Sequence, residues 1–240
     1  MKKIVLITII MCFATLVLRS QENNAIKSPQ TDVKKGVQGD RTMWGIYTDL
    51  WQDAPDSIDI KPVNQGFSFH CMYDYVIKGK FSVAIGLGIA SHNLYSGSWL
   101  KYERDSLNNL TGRYAFYKIP DSINFKNNKF NINYLEIPVE LRFRGNGSDG
   151  FKLALGFKAG LTMSNHTKYK GDNYVYKDGT SIKEKYYNNK HVLDYRYGVT
   201  ARVGYKWINL NVFYSLTNLF EDNKGPKMYP VSIGLMITPI

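Results

Sequence analysis

The sequence predicts an all-β fold, an eight-stranded antiparallel transmembrane β-barrel with up-and-down topology. Three observations predict it. Eight stretches alternate large apolar residues with small or polar ones, and a period of two sends successive side chains to opposite faces of a sheet. Short and long connections take turns between those stretches, as in barrels whose strands run back and forth across an outer membrane. The face opposite the apolar one joins glycine and alanine to charges of both signs, which suits a narrow lumen better than a water-facing exterior. The alternative fold is a soluble ligand-binding barrel, which would bury the large apolar face instead.

The chain opens Met1-Lys2-Lys3, ahead of an apolar run over residues 4–18 that Arg19-Ser20-Gln21 closes. A basic start and so short a run fit a secretory signal peptide over residues 1–20, cleaved after Ser20, because a spanning helix needs about 20 apolar residues. Residues 21–42 are polar and charged and read as a flexible periplasmic leader; the barrel domain is expected over 43–240. Cleavage removes Lys2, Lys3 and Arg19, lowering the formal charge from +11 to +8. It also removes Cys12, which leaves Cys71 without a disulfide partner. The lysines read first as solvated loop residues and second as contacts for outer-membrane lipid or lipopolysaccharide phosphates. Nothing beyond net charge points to nucleic acid. No segment after residue 18 approaches the length of a spanning helix, so crossing a membrane requires a closed barrel.

Strand one is expected over residues 43–51. Strand two, over 66–77, sets Phe67, Phe69, Cys71, Tyr73, Tyr75 and Ile77 on one face, and a tight Lys78-Gly79-Lys80 turn follows. Strand three, over 81–94, sets Phe81, Val83, Ile85, Leu87 and Ile89 against Ser82, Ala84, Gly86, Gly88 and Ala90. Strand four, over 133–144, sets Leu135, Ile137, Val139, Leu141 and Phe143 against Glu136, Glu140, Arg142 and Arg144. Pro138 in its middle lacks a ladder donor, which predicts a bulge or bend. Residues 145–150 form a second short turn of residues that tolerate positive φ. Strand five, over 151–164, is the clearest, with Phe151, Leu153, Leu155, Phe157, Leu161 and Met163 in phase. Strand six, over 191–205, opposes Tyr195, Tyr197 and Val199 to Asp194, Arg196, Thr200 and Arg202. A turn near Lys206 leads to strand seven, over 208–217, and strand eight closes the set over 229–238. Residues 52–65, 95–132, 166–190 and 218–228 are then the long loops, facing outward from the cell. Tyr73, Tyr75, Phe143, Phe151, Tyr205 and Trp207 fall near the short-turn ends, and Tyr95, Trp99, Tyr102 and Tyr195 near the long loops, where interface-seeking rings belong.

Glu136, Glu140, Arg142, Lys152, Lys158, Asp194, Arg196 and Arg202 should point into the lumen. Unpaired charge in a water-poor interior is costly, so a structural network of ion pairs is expected in preference to a conduit. No paired-cysteine, His-x-x-x-His, P-loop, Rossmann or calcium-loop pattern occurs, so neither a metal nor a cofactor is expected. A second function class is an outer-leaflet lipid-modifying enzyme, which would draw on Ser91, His92, Ser164, His166 and His191 at the loop end.

Strand four contains Tyr134-Leu135-Glu136-Ile137-Pro138. This segment resembles the "YLEIP" segment of the PorT-like outer-membrane β-barrel family of Gram-negative bacteria. The resemblance implies an eight-stranded barrel without an assigned enzymatic activity, and some relatives are associated with type IX secretion. The expected function is therefore a non-enzymatic outer-membrane barrel, structural, adhesive or complex-forming, with an envelope partner held by the Tyr-, Asn- and Lys-rich second and third long loops. Asp56-Ser57-Ile58, Asp105-Ser106-Leu107 and Asp121-Ser122-Ile123 share the form Asp-Ser-aliphatic. They resemble an O-glycosylation site of bacteria that carry such barrels, which would modify Ser57, Ser106 and Ser122; ordinary turn chemistry is the competing reading.

Overall fold

The computed structural model describes residues 40–145, 150–176 and 179–239. The expected signal peptide and residues 21–39 of the expected leader lie outside the described residues. Strands follow in chain order: β1 (Thr42–Gln52), β2 (Gln65–Lys78), β3 (Phe81–Tyr95), β4 (Ser98–Arg104), β5 (Leu110–Lys118), β6 (Phe125–Arg144), β7 (Phe151–Asp172), β8 (Ser181–Tyr187), β9 (Tyr195–Tyr205), β10 (Ile208–Ser215) and β11 (Tyr229–Ile237). Eight of them close a barrel in the order β1, β2, β3, β6, β7, β9, β10, β11 and back to β1, every pair antiparallel. Closure leaves the barrel strands no free edge, so their backbone groups pair without water.

Three expectations about the strands need correction. The barrel does not start at residue 43: Thr42 already pairs with Cys71, and Asp40 is buried, held by cations inside the lumen. Strand six starts at Tyr195 rather than at residue 191, because His191 has a left-handed backbone (φ 61°) and Val192 bridges Phe220 instead. Of the bulge or bend expected at Pro138, the bulge is absent. The ladder to β3 omits the positions opposite Ile137 and Pro138, then resumes in the same register at Glu136 and Gly88. The long loops also contain strands. β4 and β5 form a hairpin, and β6 and β7 run on beyond the barrel, where β8 pairs with β7.

The alternation of the sequence becomes an inside and an outside. Large apolar residues face out along every barrel strand: Ile46 exposes 67% of its surface and Leu235 59%. An apolar surface this continuous needs lipid rather than water against it. On β7 it runs from Phe151 to Met163. At about 3.3 Å per residue and a tilt of about 40°, that span is roughly 30 Å tall, close to a bilayer's hydrocarbon core. Aromatic pairs mark both borders. Phe81 and Phe143 lie 5.2 Å apart at the short-turn end, and Tyr214 and Tyr229 lie 5.5 Å apart at the other, with their hydroxyls 3.1 Å from each other.

A bulge at the upper border re-aims β7. Asn133 pairs with Ser164 and Tyr134 with Thr162, which leaves Met163 as the extra residue. Below it, Lys152 and Ala154 point inward; above it, Asn165 and Tyr169 are the buried ones and Ser164 and His166 continue the outer face. The barrel face itself depends on glycine where rings approach the backbone. A Cβ on Gly88 would collide with the His70 ring and the Phe69 carbonyl, so this position admits the His70 side chain only as glycine.

Candidate functional site

The lumen is filled in two charged layers. In the layer nearer the short turns, Glu140 takes Arg142 Nε and Arg202 Nη2, each at 2.8 Å. Asp40 takes Lys152 Nζ at 2.7 Å and Arg202 Nη1 at 3.3 Å. Asp74 lies between Arg142, at 3.4 Å, and Arg144, which is closer still. In the next layer Glu136 receives Arg196, Lys158 at 3.3 Å and His70 Nε2 at 2.8 Å. The Arg196 guanidinium also lies over the Tyr134 ring, 4.0 Å from its centroid, so that a nitrogen without a hydrogen bond still meets a π face. Of the residues expected here, Glu136, Glu140, Arg142, Lys152, Lys158, Arg196 and Arg202 are brought together. Asp194 is not: it is exposed ahead of β9, where its carbonyl accepts the Thr162 amide. Asp40, His70, Asp74 and Arg144 complete the layers. His70 and Asp74 were legible in principle, since Ser68, His70, Met72 and Asp74 interleave the apolar set of β2.

The rim residues that would serve an enzyme separate onto different surfaces. His92 points inward and is buried, with Nδ1 2.9 Å from Asp49 and Nε2 3.0 Å from the Tyr47 hydroxyl, while Ser232 donates to Asp49 at 2.6 Å. Ser91 and Ser164 face outward, where they accept from Asn131 and Asn133. His166 lies on that outer face beside Tyr187, with ring centroids 5.4 Å apart. His191 sits in the loops against Glu221 at 3.1 Å.

Above the charged layers the lumen turns apolar and the loops close over it. Leu94, Phe130 and Ile132 on the barrel strands pack with Ile58, Phe116 and Phe220 from the loops. Backbone bonds tie the lid together: Tyr114 donates to the Lys224 carbonyl at 2.8 Å, and Glu221 to that of His191 at 2.9 Å. Asn64, fully buried, accepts the Tyr95 amide at 2.7 Å and donates to the Lys61 carbonyl at 2.8 Å. On the upper side of this cap a cleft of about 570 Å³ opens between the β4–β5 hairpin and the β6–β7–β8 sheet. Its wall is aromatic: Trp99 lies 5.0 Å from Tyr174 and 6.1 Å from Tyr169, and Tyr102 stacks on Tyr114 at 4.4 Å. Polar groups stand among the rings. Lys101 Nζ sits 4.2 Å over Trp99, and Tyr174 donates to Glu184 at 2.7 Å. Burial and that carboxylate push the Tyr174 hydroxyl well above its usual range.

The three Asp-Ser segments are exposed turns in the loops. Asp105 accepts the amides of Leu107 at 2.9 Å and Asn109 at 2.8 Å, bonds that hold its carboxyl below the usual range. Ser57, Ser106 and Ser122 all stand at the surface of these turns.

A family model described as the outer membrane protein beta-barrel domain matches residues 36–221. The chain belongs to that family. No curated protein matches it. For a member of the outer membrane protein beta-barrel domain family, the apolar girdle is the lipid face in an outer membrane; barrels of this kind generally set their short turns toward the periplasm and their long loops outward. Sequence patterning missed the cap because its residues serve tertiary packing rather than one long periodic strand. The aromatic enrichment of the second and third long loops was its available signal.

Proposed function

We propose that this outer-membrane barrel is a non-enzymatic, complex-forming or adhesive protein of the PorT-like kind, exported by cleavage after Ser20. It works through its outer cap and not through its lumen. The observation that carries this reading is the aromatic cleft between the β4–β5 hairpin and the β6–β7–β8 sheet. Rigid rings interleaved with Lys101, Glu184 and asparagines give large contact area at low entropic cost, with polar groups to fix orientation. The filled lumen supports the same reading, since ion pairs and an apolar lid occupy the path that a conduit would need. The dispersal of His92, His166 and His191 supports a non-enzymatic role, because a nucleophile and its base must share one site.

The test places a photo-crosslinking residue at Tyr186, on the cleft wall, in intact cells. A specific crosslinked envelope or extracellular partner is expected, and Trp99→Ala should abolish it. No crosslink above that of a lipid-facing control at Ile85, or a crosslink indifferent to Trp99, overturns the reading. Lipid A whose mass changes when His92, His166 and His191 are replaced by Ala would favour the lipid-modifying enzyme instead.

A further inference from the structure

The outer face of the barrel changes character row by row above the lipid. Ile89 and Leu135 form the last apolar row on β3 and β6. Ser91, Asn133 and Ser164 come next, and Asn133 donates to Ser164 at 3.0 Å. Asn93, Asn131, His166 and Tyr187 stand side by side above them. Then Lys129, Lys168 and Lys185 are paired directly across β6, β7 and β8. In the row above, Lys170 faces Lys183.

Five ammonium groups thus share one face of a three-stranded sheet. Directly opposed side chains have Cβ atoms about 5 Å apart, where like charges destabilise the pairing. None of the five forms an ion pair with a described residue; Lys129 donates to the neutral Asn93 Oδ1 at 2.9 Å. The carboxylate on the same face of β7, Asp172, takes the Asn124 amide at 2.9 Å, and Glu184 on the opposite face takes the Tyr174 hydroxyl. Burial and the neighbouring lysines hold both Lys129 and Lys168 below the usual ammonium range. The row of Lys129 lies six residues beyond Leu135, roughly 15 Å above the apolar border at a tilt of about 40°. That lies above an ordinary headgroup layer of about 5–8 Å, at a height reached only by a lipid with a large head, on the face that continues the lipid surface.

We propose that Lys129, Lys168, Lys170, Lys183 and Lys185 form a docking site for the phosphate or sugar-carboxylate groups of an anionic outer-leaflet glycolipid. Compact ammonium charges suit such anions, and one anion bridging two rows converts the repulsion into attraction. The site rests on the outward placement of the cap; of its five lysines only Lys129 also borders the aromatic cleft.

The test titrates lipopolysaccharide against the full chain in detergent, with inorganic phosphate as a parallel arm. Lipopolysaccharide should raise the thermal midpoint, and inorganic phosphate at equal phosphorus should not. Replacing Lys129, Lys168 and Lys185 together by Gln should weaken lipopolysaccharide binding by about tenfold or more. The single Lys168→Gln variant should weaken it less, and Lys78→Gln near the short turn should leave it unchanged. Without lipopolysaccharide the triple variant should keep its heat-modifiable mobility and melt no lower than the wild type. Undiminished binding by the triple variant, equal loss in Lys78→Gln, or a full shift from inorganic phosphate overturns the proposal. Any of these outcomes leaves the cleft crosslink standing, and loss of that crosslink leaves the lysine site standing.

Discussion

Arg196, Lys158 and His70 all converge on Glu136, which has no exposed surface. Removing that one carboxyl charge strands cations that are themselves out of water. Glu136→Gln should therefore cost about 3–5 kcal/mol, the range for breaking a buried pair from one side. The measurement is the urea midpoint of the boiled-versus-unboiled gel shift in detergent micelles; a midpoint within error of the wild type would show that Glu136 is not the keystone of its layer. A second outcome at this scale concerns the exposed serines. Glycosylation at Ser57, Ser106 and Ser122 predicts an intact mass above that of the bare mature chain, and Ser→Ala at all three should restore the bare mass. A wild-type mass already equal to the bare chain leaves Asp-Ser as turn chemistry alone, the role that Asp105 visibly performs.

At the scale of the element, β7 carries two messages in one strand. Up to Met163 its alternation follows lipid and lumen, and beyond the bulge the phase inverts, so that one face lines the cleft and the other carries Lys168 and Lys170. Sequence periodicity reads the first part because one register holds from Phe151 to Thr162. It loses the second because Ser164, Asn165 and His166 are all polar whichever way they face. The lumen charges were legible for the same reason of strict alternation, whereas Asp40 was hidden in a polar leader and Asp194 stood one residue before its strand began. The β7–β8 pairing also carries a pH dependence. Burial first, then Lys185, Lys129 and Lys168, hold the His166 imidazole below its usual value of 6.5. The unfolded segment therefore binds more protons below pH 6.5, so stability present above that pH is lost as pH falls toward the folded value. Amide exchange in β8, corrected for intrinsic rates, should speed up between pH 7.5 and pH 5.5, and His166→Gln should flatten the change. An exchange profile equally steep in the variant would assign the effect to other groups.

At the scale of the whole molecule, an eight-stranded barrel leaves an interior that side chains can fill, and this chain fills it twice over. Among the described residues two ion-paired layers occupy the lumen toward the short-turn end, and the apolar cap closes the long-loop end. Seals in series do not fail together: water admitted past one still meets the other. The purified protein in a planar bilayer should accordingly show no stepwise conductance. Replacing Phe130 and Phe220 by Ser loosens the cap but leaves Glu136, Glu140 and their cations in place, so that variant should also stay closed while its thermal midpoint falls. Current through the wild type would mean that the charged layers enclose a continuous water path. Current through the cap variant alone would mean that the ion pairs pack but do not seal, and the outer cap would then be a gate as well as a binding surface.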